Sequence, residues 1–181
     1  HHLDDSLETF LFNLTKGTGL HGLTGISEQN GSVVRPLMFA TKEQIISYAK
    51  QESIKWREDK SNEKNDYQRN KIRNKVIPVL KDINPALQKT FSRNMERLKH
   101  VQCLVDTECE KIKESFLKED KQHLYLSMRW FDEKKGGVAL LIEILADFGF
   151  SYFQVNDIVE AYRNRSVGAQ FTTETCILHL D

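Results

Sequence analysis

Apolar residues recur at helical spacing through Leu7, Phe10, Leu11 and Leu14, and Gly17 and Gly19 end the run, so a short helix beginning near Asp4 should open the chain. From Thr15 to Gly31 five glycines predict a loop without regular structure. Val33 to Phe39 reads as a single strand. Thr41 and Gln44 form a capping-box pair ahead of Ile45, Ile46 and Ala49, which predicts a helix to about Glu52. Ile72, Val76, Ile77 and Leu80 mark one side of a helix over Asp66 to Leu80. Asn84 with Pro85 is a strong helix start, and the spacing of Leu87, Phe91, Met95, Leu98, Val105, Ile112 and Phe116 sustains one helix of roughly 50 Å. Beyond Asp120 the pattern predicts an extended segment over Leu124 to Met128. A helix with Val138, Leu141, Ile142, Leu145 and Phe148 inside and Gly149 as its stop follows, then a short helix over Phe153 to Tyr162. A hairpin from Val167 to Asp181, turning at Thr173 and Glu174, closes the chain.

The resulting fold class is mainly α with minor β, in three parts: the end of an α/β domain over residues 1–83, a long connecting helix over 84–119, and a small helical domain ending in a β-hairpin over 120–181. With 26 basic and 26 acidic residues the net charge is zero, so any nucleic-acid role must rest on local patches. No apolar run approaches the roughly 20 residues of a membrane span, and a soluble, cytoplasmic protein is expected. Three cysteines without CxxC spacing suit neither a disulfide scaffold nor a zinc site.

Two regions carry candidate chemistry. His1-His2-Leu3-Asp4-Asp5-Ser6-Leu7-Glu8 gathers two imidazoles and three carboxylates, and a helix from Asp4 sets Asp5 and Glu8 one turn apart on one face. Paired carboxylates hold an ammonium group or accept its proton before an amine attacks an electrophile. The same acids would equally favour the dipole of a first helical turn. A divalent-ion reading of this stretch matches no established ligand spacing, and no metal residue is assigned. From Lys55 to Lys81 nine basic residues face four acidic ones, with Trp56 and Tyr67 interleaved. Arg69 and Arg73 lie four apart, suited to phosphate oxygens, and Lys89, Arg93, Arg97 and Lys99 continue the basic character. A solvated basic face is the plainer alternative. Lys16-Gly17-Thr18-Gly19 could cradle an anion or close over a substrate.

Taken together, the HHLDDSLET string, the Lys16-Gly17-Thr18-Gly19-Leu20 loop, and Trp56-Arg57-Glu58-Asp59 through Ser61-Asn62 to Arg69-Asn70-Lys71-Ile72-Arg73 resemble, in order and spacing, the tRNA(Ile)-lysidine synthetase family. The resemblance implies that residues 1–83 are the C-terminal part of a Rossmann-like PP-loop domain. It also implies an ATP-dependent ligation of free lysine to carbon 2 of the wobble cytidine of an isoleucine tRNA with a CAU anticodon, with ATP and Mg2+ serving the complete enzyme. By the same resemblance His1, Asp5 and Glu8 line the lysine and reaction site, and Arg69 and Arg73 lie near the nucleotide and tRNA; Arg73 is counted with His1, Asp5 and Glu8 as catalytic, and Gly17, Thr18, Gly19, Arg69 and Asn70 are expected to bind substrate. Lys71, Lys89, Arg93 and Arg97 are expected at the tRNA, and a homodimer is among the assemblies allowed. The family's SGGxDS-type phosphate loop does not occur in this sequence, so the chain alone is expected not to make lysidine. A related PP-loop tRNA-modifying enzyme and a non-catalytic helical RNA-binding module are the competing readings. The first is weakened by the lack of paired cysteines.

Overall fold

The structure is a computed structural model that describes residues 1–57, 67–121 and 123–181. Glu58, Asp59, Ser61 and Asn62 of the basic-region motif, and the expected helix start at Asp66, lie outside the described residues. The chain forms two compact units, His1–Gln102 and Cys103–Asp181. Among the described residues no helix is long and apolar enough to cross a membrane.

In the first unit, helix α1 (Leu3–Lys16) is followed by one-turn α2 (Leu20–Leu23), a two-residue hairpin of β1 (Gln29–Asn30) and β2 (Val33–Val34), and α3 (Lys42–Gln51). Then come α4 (Tyr67–Lys71), a π-helical segment (Ile72–Val76) and α5 (Ile77–Ile83). The first half of α6 (Leu87–Phe116) completes it. Leu7, Ile72, Ile77, Phe91 and Met95 form the core, with Phe10 and Phe91 in tilted ring contact at 5.5 Å. Thr41 accepts from the Gln44 amide while Gln44 Oε1 accepts from the Thr41 amide, the capping box that starts α3.

Three expectations are corrected here. The strand expected over Val33 to Phe39 is only Val33–Val34, paired antiparallel with Gln29–Asn30 around Gly31 at φ +57°. Pro36 has no N–H for a ladder, and turns closed by Met38 N–H to Arg35 and Ala40 N–H to Leu37 replace the rest. The glycine-rich stretch is not wholly irregular, because it contains α2 and the hairpin. The helix over residues 67–83 is not uniformly α: the Ile77 amide donates to the Ile72 carbonyl, five residues back. Pro78 explains this locally, since it cannot donate to the Asn74 carbonyl and its ring would crowd it. Val76, expected inside, is 40% exposed.

The second unit holds the rest of α6, the antiparallel pair β3 (Leu117–Glu119) and β4 (Leu124–Leu126), α7 (Gly137–Ala146), α8 (Tyr152–Arg163), and the terminal hairpin β5 (Gln170–Thr172) and β6 (Ile177–His179). Its core centres on Ile112, Trp130, Leu141, Ile144 and Val155, the most deeply buried large side chains. The long helix gives way at Leu117 to strand β3, which the helical spacing did not anticipate. On α7 the deepest residue is Ile144, and Ile142, expected inside, is only partly buried.

Candidate active site

The first turn of α1 is held from three directions. The His2 amide donates to Asp5 Oδ2 at 2.9 Å, the Leu3 amide to the Ala40 carbonyl at 2.9 Å, and Asp4 Oδ2 accepts from the Lys42 amide at 2.7 Å, the first residue of α3. Gln88 Nε2 donates to Asp4 Oδ1 at 3.0 Å. Burial works against the charged form of Asp4. The Lys42 and Gln88 hydrogen bonds and the positive charges of His2 and Lys81 outweigh it and hold the carboxyl below its ordinary range.

With the turn fixed, Asp5 and Glu8 share a face, and Arg73 of the π segment lies against both. Its Nε and Nη2 donate to the two oxygens of Glu8 at 2.6 and 2.7 Å, a bidentate pair, and Nη2 sits 3.9 Å from Asp5 Oδ1. Only 7% of the Glu8 side chain is exposed, against 23% for Asp5 and 43% for Arg73. The hydrogen bonds to Glu8 raise the already high pKa of Arg73 further against the opposing effect of burial, with the Glu8, Asp5 and Asp4 charges adding to them. The aim of Arg73 follows from the π segment. In a regular α-helix residues 72 and 77 would sit about 140° apart, whereas the wider turn leaves both isoleucines in the core and the intervening guanidinium facing α1.

His2 Nδ1 lies 3.6 Å from both Asp4 Oδ2 and Asp5 Oδ2, buried and without a hydrogen-bond partner. His1 stands apart from the acids: its Nδ1 accepts from Arg35 Nε at 3.3 Å, and Arg35 also donates to the Ser27 carbonyl. Gly17, Thr18 and Gly19 lie beyond the far end of α1, about 18 Å along its axis from Asp5, and Gly17 takes φ +76°. The segment turns back to α1 at Gly25, where the Ile26 amide donates to buried Ser6 Oγ at 3.1 Å. Arg69 lies over the Phe12 ring at 5.3 Å, with Lys16 on the same ring at 4.1 Å, so it belongs with the glycine segment's end of α1. Asn70 is half-buried and Lys71 exposed. Lys89, Arg93 and Arg97 are exposed at four-residue intervals on α6, on the side away from buried Phe91 and Met95.

The structure thus brings together Asp5, Glu8 and Arg73, and places His1, the glycines, Arg69 and the α6 cations elsewhere in the same unit. Asp4, Ser6 and His2 were missed as organising residues. The partners of Asp4 and Ser6 lie 20 to 84 residues away, those of His2 are the adjacent acids, and only the HHLDDS string itself carried a signal. Among the described residues no group of three or more His, Cys, Asp and Glu side chains is placed to hold a metal ion.

Residues 1–80 match the family model of the PP-loop domain, and residues 119–181 match that of the TilS substrate binding domain. The order of the two defines a PP-loop protein with an appended substrate-binding module. Over nearly all its length the chain is similar to tRNA(Ile)-lysidine synthases: 35% identical to one of Porphyromonas gingivalis, covering 94% of this chain and 37% of that protein. It is 32% identical to one of Bacteroides thetaiotaomicron, covering 96% and 40%. A relative from Chlorobaculum tepidum is 44% identical over 94 residues, 49% of this chain and 28% of that protein. The chain belongs to the tRNA(Ile)-lysidine synthase family, and it spans 36–40% of the length of the curated relatives that it matches most extensively.

Proposed function

We propose that this chain forms part of an enzyme that ligates lysine to carbon 2 of the wobble cytidine of tRNA(Ile) with a CAU anticodon. The observation that carries the reading is the Asp5–Glu8–Arg73 group inside a PP-loop domain. ATP is the co-substrate: the cytidine is adenylated with loss of pyrophosphate, then the lysine amine forms a bond to carbon 2 while the bond to AMP breaks. An ammonium must lose a proton before it attacks, and a carboxylate within hydrogen-bond reach supports both orientation and that transfer. Asp5, the more accessible of the two acids, suits this role. Glu8 and Arg73 complete the reaction site, a guanidinium being matched to phosphate oxygens. His1, held by Arg35 apart from the acids, keeps its place in the reaction site only through the family resemblance. Mg2+ accompanies ATP by family resemblance, and none of these side chains is assigned to it.

Gly17, Thr18 and Gly19, with Arg69 and Asn70, are proposed to bind substrate at the other end of α1. Lys71 and the α6 row of Lys89, Arg93 and Arg97 are proposed to follow the tRNA backbone, where exposed cations on one helix side act through phosphates and RNA shape. The division into 1–83, 84–119 and 120–181 assigns the reaction to the first part and tRNA positioning to the other two. A cytoplasmic location and a homodimer are consistent with this role.

The test is incorporation of labelled lysine into an isoleucine tRNA transcript by the complete parent protein. Label should depend on ATP and vanish when the wobble base is uridine. Tight tRNA binding without label would turn the reading toward a non-catalytic RNA-binding module.

A further inference from the structure

Glu8 and Asp5 resemble each other in sequence and differ in place. Both oxygens of Glu8 are taken by Arg73 at 2.6 and 2.7 Å, and 7% of its side chain is exposed. Asp5 is more open, accepts the His2 amide through Oδ2, and keeps Oδ1 3.9 Å from Arg73 Nη2. A carboxylate that receives a bidentate guanidinium keeps only its remaining lone pairs, and with 7% of the Glu8 side chain exposed these are shielded from an incoming ammonium unless the pair separates. Separation would leave a carboxylate buried beside Leu7, which is itself only 2% exposed. The guanidinium, by contrast, has an outer edge toward solvent and a side chain that cannot shed its charge.

We infer that Glu8 is a positioning residue that acts through Arg73, and that Asp5 alone of the pair meets the lysine ammonium. The inference rests on the ligase reading. Glu8 fixes the plane and direction of the guanidinium, so that Arg73 is aimed before any substrate arrives. Lysine affinity and guanidinium aim are then separate properties carried by neighbouring acids one helical turn apart. Loss of Glu8 strikes the step that uses Arg73, the adenylation that releases pyrophosphate. Loss of Asp5 strikes recognition of lysine.

The experiment uses the complete parent protein and measures two quantities: pyrophosphate release with tRNA and ATP in the absence of lysine, and the KM for lysine in product formation. Glu8→Gln should lower pyrophosphate release at least tenfold while the lysine KM stays within about twofold, because a neutral amide cannot accept both guanidinium donors. Asp5→Asn should raise the lysine KM at least tenfold. Arg73→Lys, which keeps the charge and loses the planar fork, should reproduce the Glu8→Gln pattern, and the double variant should be no worse than the poorer single. Circular dichroism checks that each variant is folded, and Glu8→Asp should restore part of the lost release. A Glu8→Gln variant that raises the lysine KM as Asp5→Asn does, with pyrophosphate release intact, overturns the assignment; so does one that alters neither quantity. A parent protein that forms no lysine-dependent product removes the ligase reading itself, which is a separate outcome.

Discussion

Arg73→Ala gives the sharpest physical test of the buried pair. The substitution strips both donors from Glu8 and leaves a carboxylate with 7% of its side chain exposed. Breaking a fully buried ion pair from one side costs about 3–5 kcal/mol. Arg73 is 43% exposed, so its removal lets water reach one edge of the carboxylate. Discounting for that access brings the expected loss to about 2–3 kcal/mol, or about 5–10 °C in the melting midpoint of a chain this long. Urea denaturation followed by far-ultraviolet circular dichroism measures it. A Glu8→Met/Arg73→Met double variant should recover most of the loss, because an apolar pair of similar volume carries no stranded charge. An Arg73→Ala variant within about 0.5 kcal/mol of the parent, or a double variant less stable than Arg73→Ala, would refute the claim that buried Glu8 depends on Arg73.

Gly25 sits at φ +75° with the Ser6 hydroxyl 2.3 Å from where a Cβ would be, so Gly25→Ala should destabilise the first unit by about 2 kcal/mol, read as a lowered urea midpoint. Asp4 has its folded pKa depressed below the ordinary 3.8, so its contribution is fully present above that value and is lost as pH falls through the lower folded value. The stability gap between the parent and Asp4→Asn should therefore be constant from neutral pH down to about pH 5 and close only below it, as thermal melts across that range would show; a gap that widens on acidification would contradict the sign.

The parts of this fold that were legible in sequence are those set by local chemistry. The Thr41–Gln44 capping box, the Asn84-Pro85 helix start, the Gly149 stop and the Thr173–Glu174 turn depend on neighbours within a few residues, and each appears where its pattern placed it. The failures share another cause. Val33 to Phe39 is apolar enough to read as a strand, yet Pro36 interrupts the ladder. The 3.6-residue period placed Val76 inside because it assumed a regular helix through Pro78. Of the candidate site, spacing alone put Asp5 and Glu8 on one face, but nothing local shows that Arg73, 65 residues later, lies between them. Asp4 is more hidden still, since its partners Lys42 and Gln88 are 38 and 84 residues away.

The π segment makes chain length itself a functional variable. A regular helix would connect Lys71 to Ile77 with one residue fewer per equivalent turn, so the segment amounts to a single surplus residue held in place by Pro78. Removing that surplus, by deleting exposed Asn74 for instance, would change no side chain that touches Glu8. It would set Ile72 and Ile77 four residues apart, about 40° on a regular helix, so both isoleucines would stay in the core and the wider turn would no longer be needed. The register of this helix is thus encoded partly as a count of peptide units, a property that substitution tables leave untouched and whose surplus the wider turn absorbs.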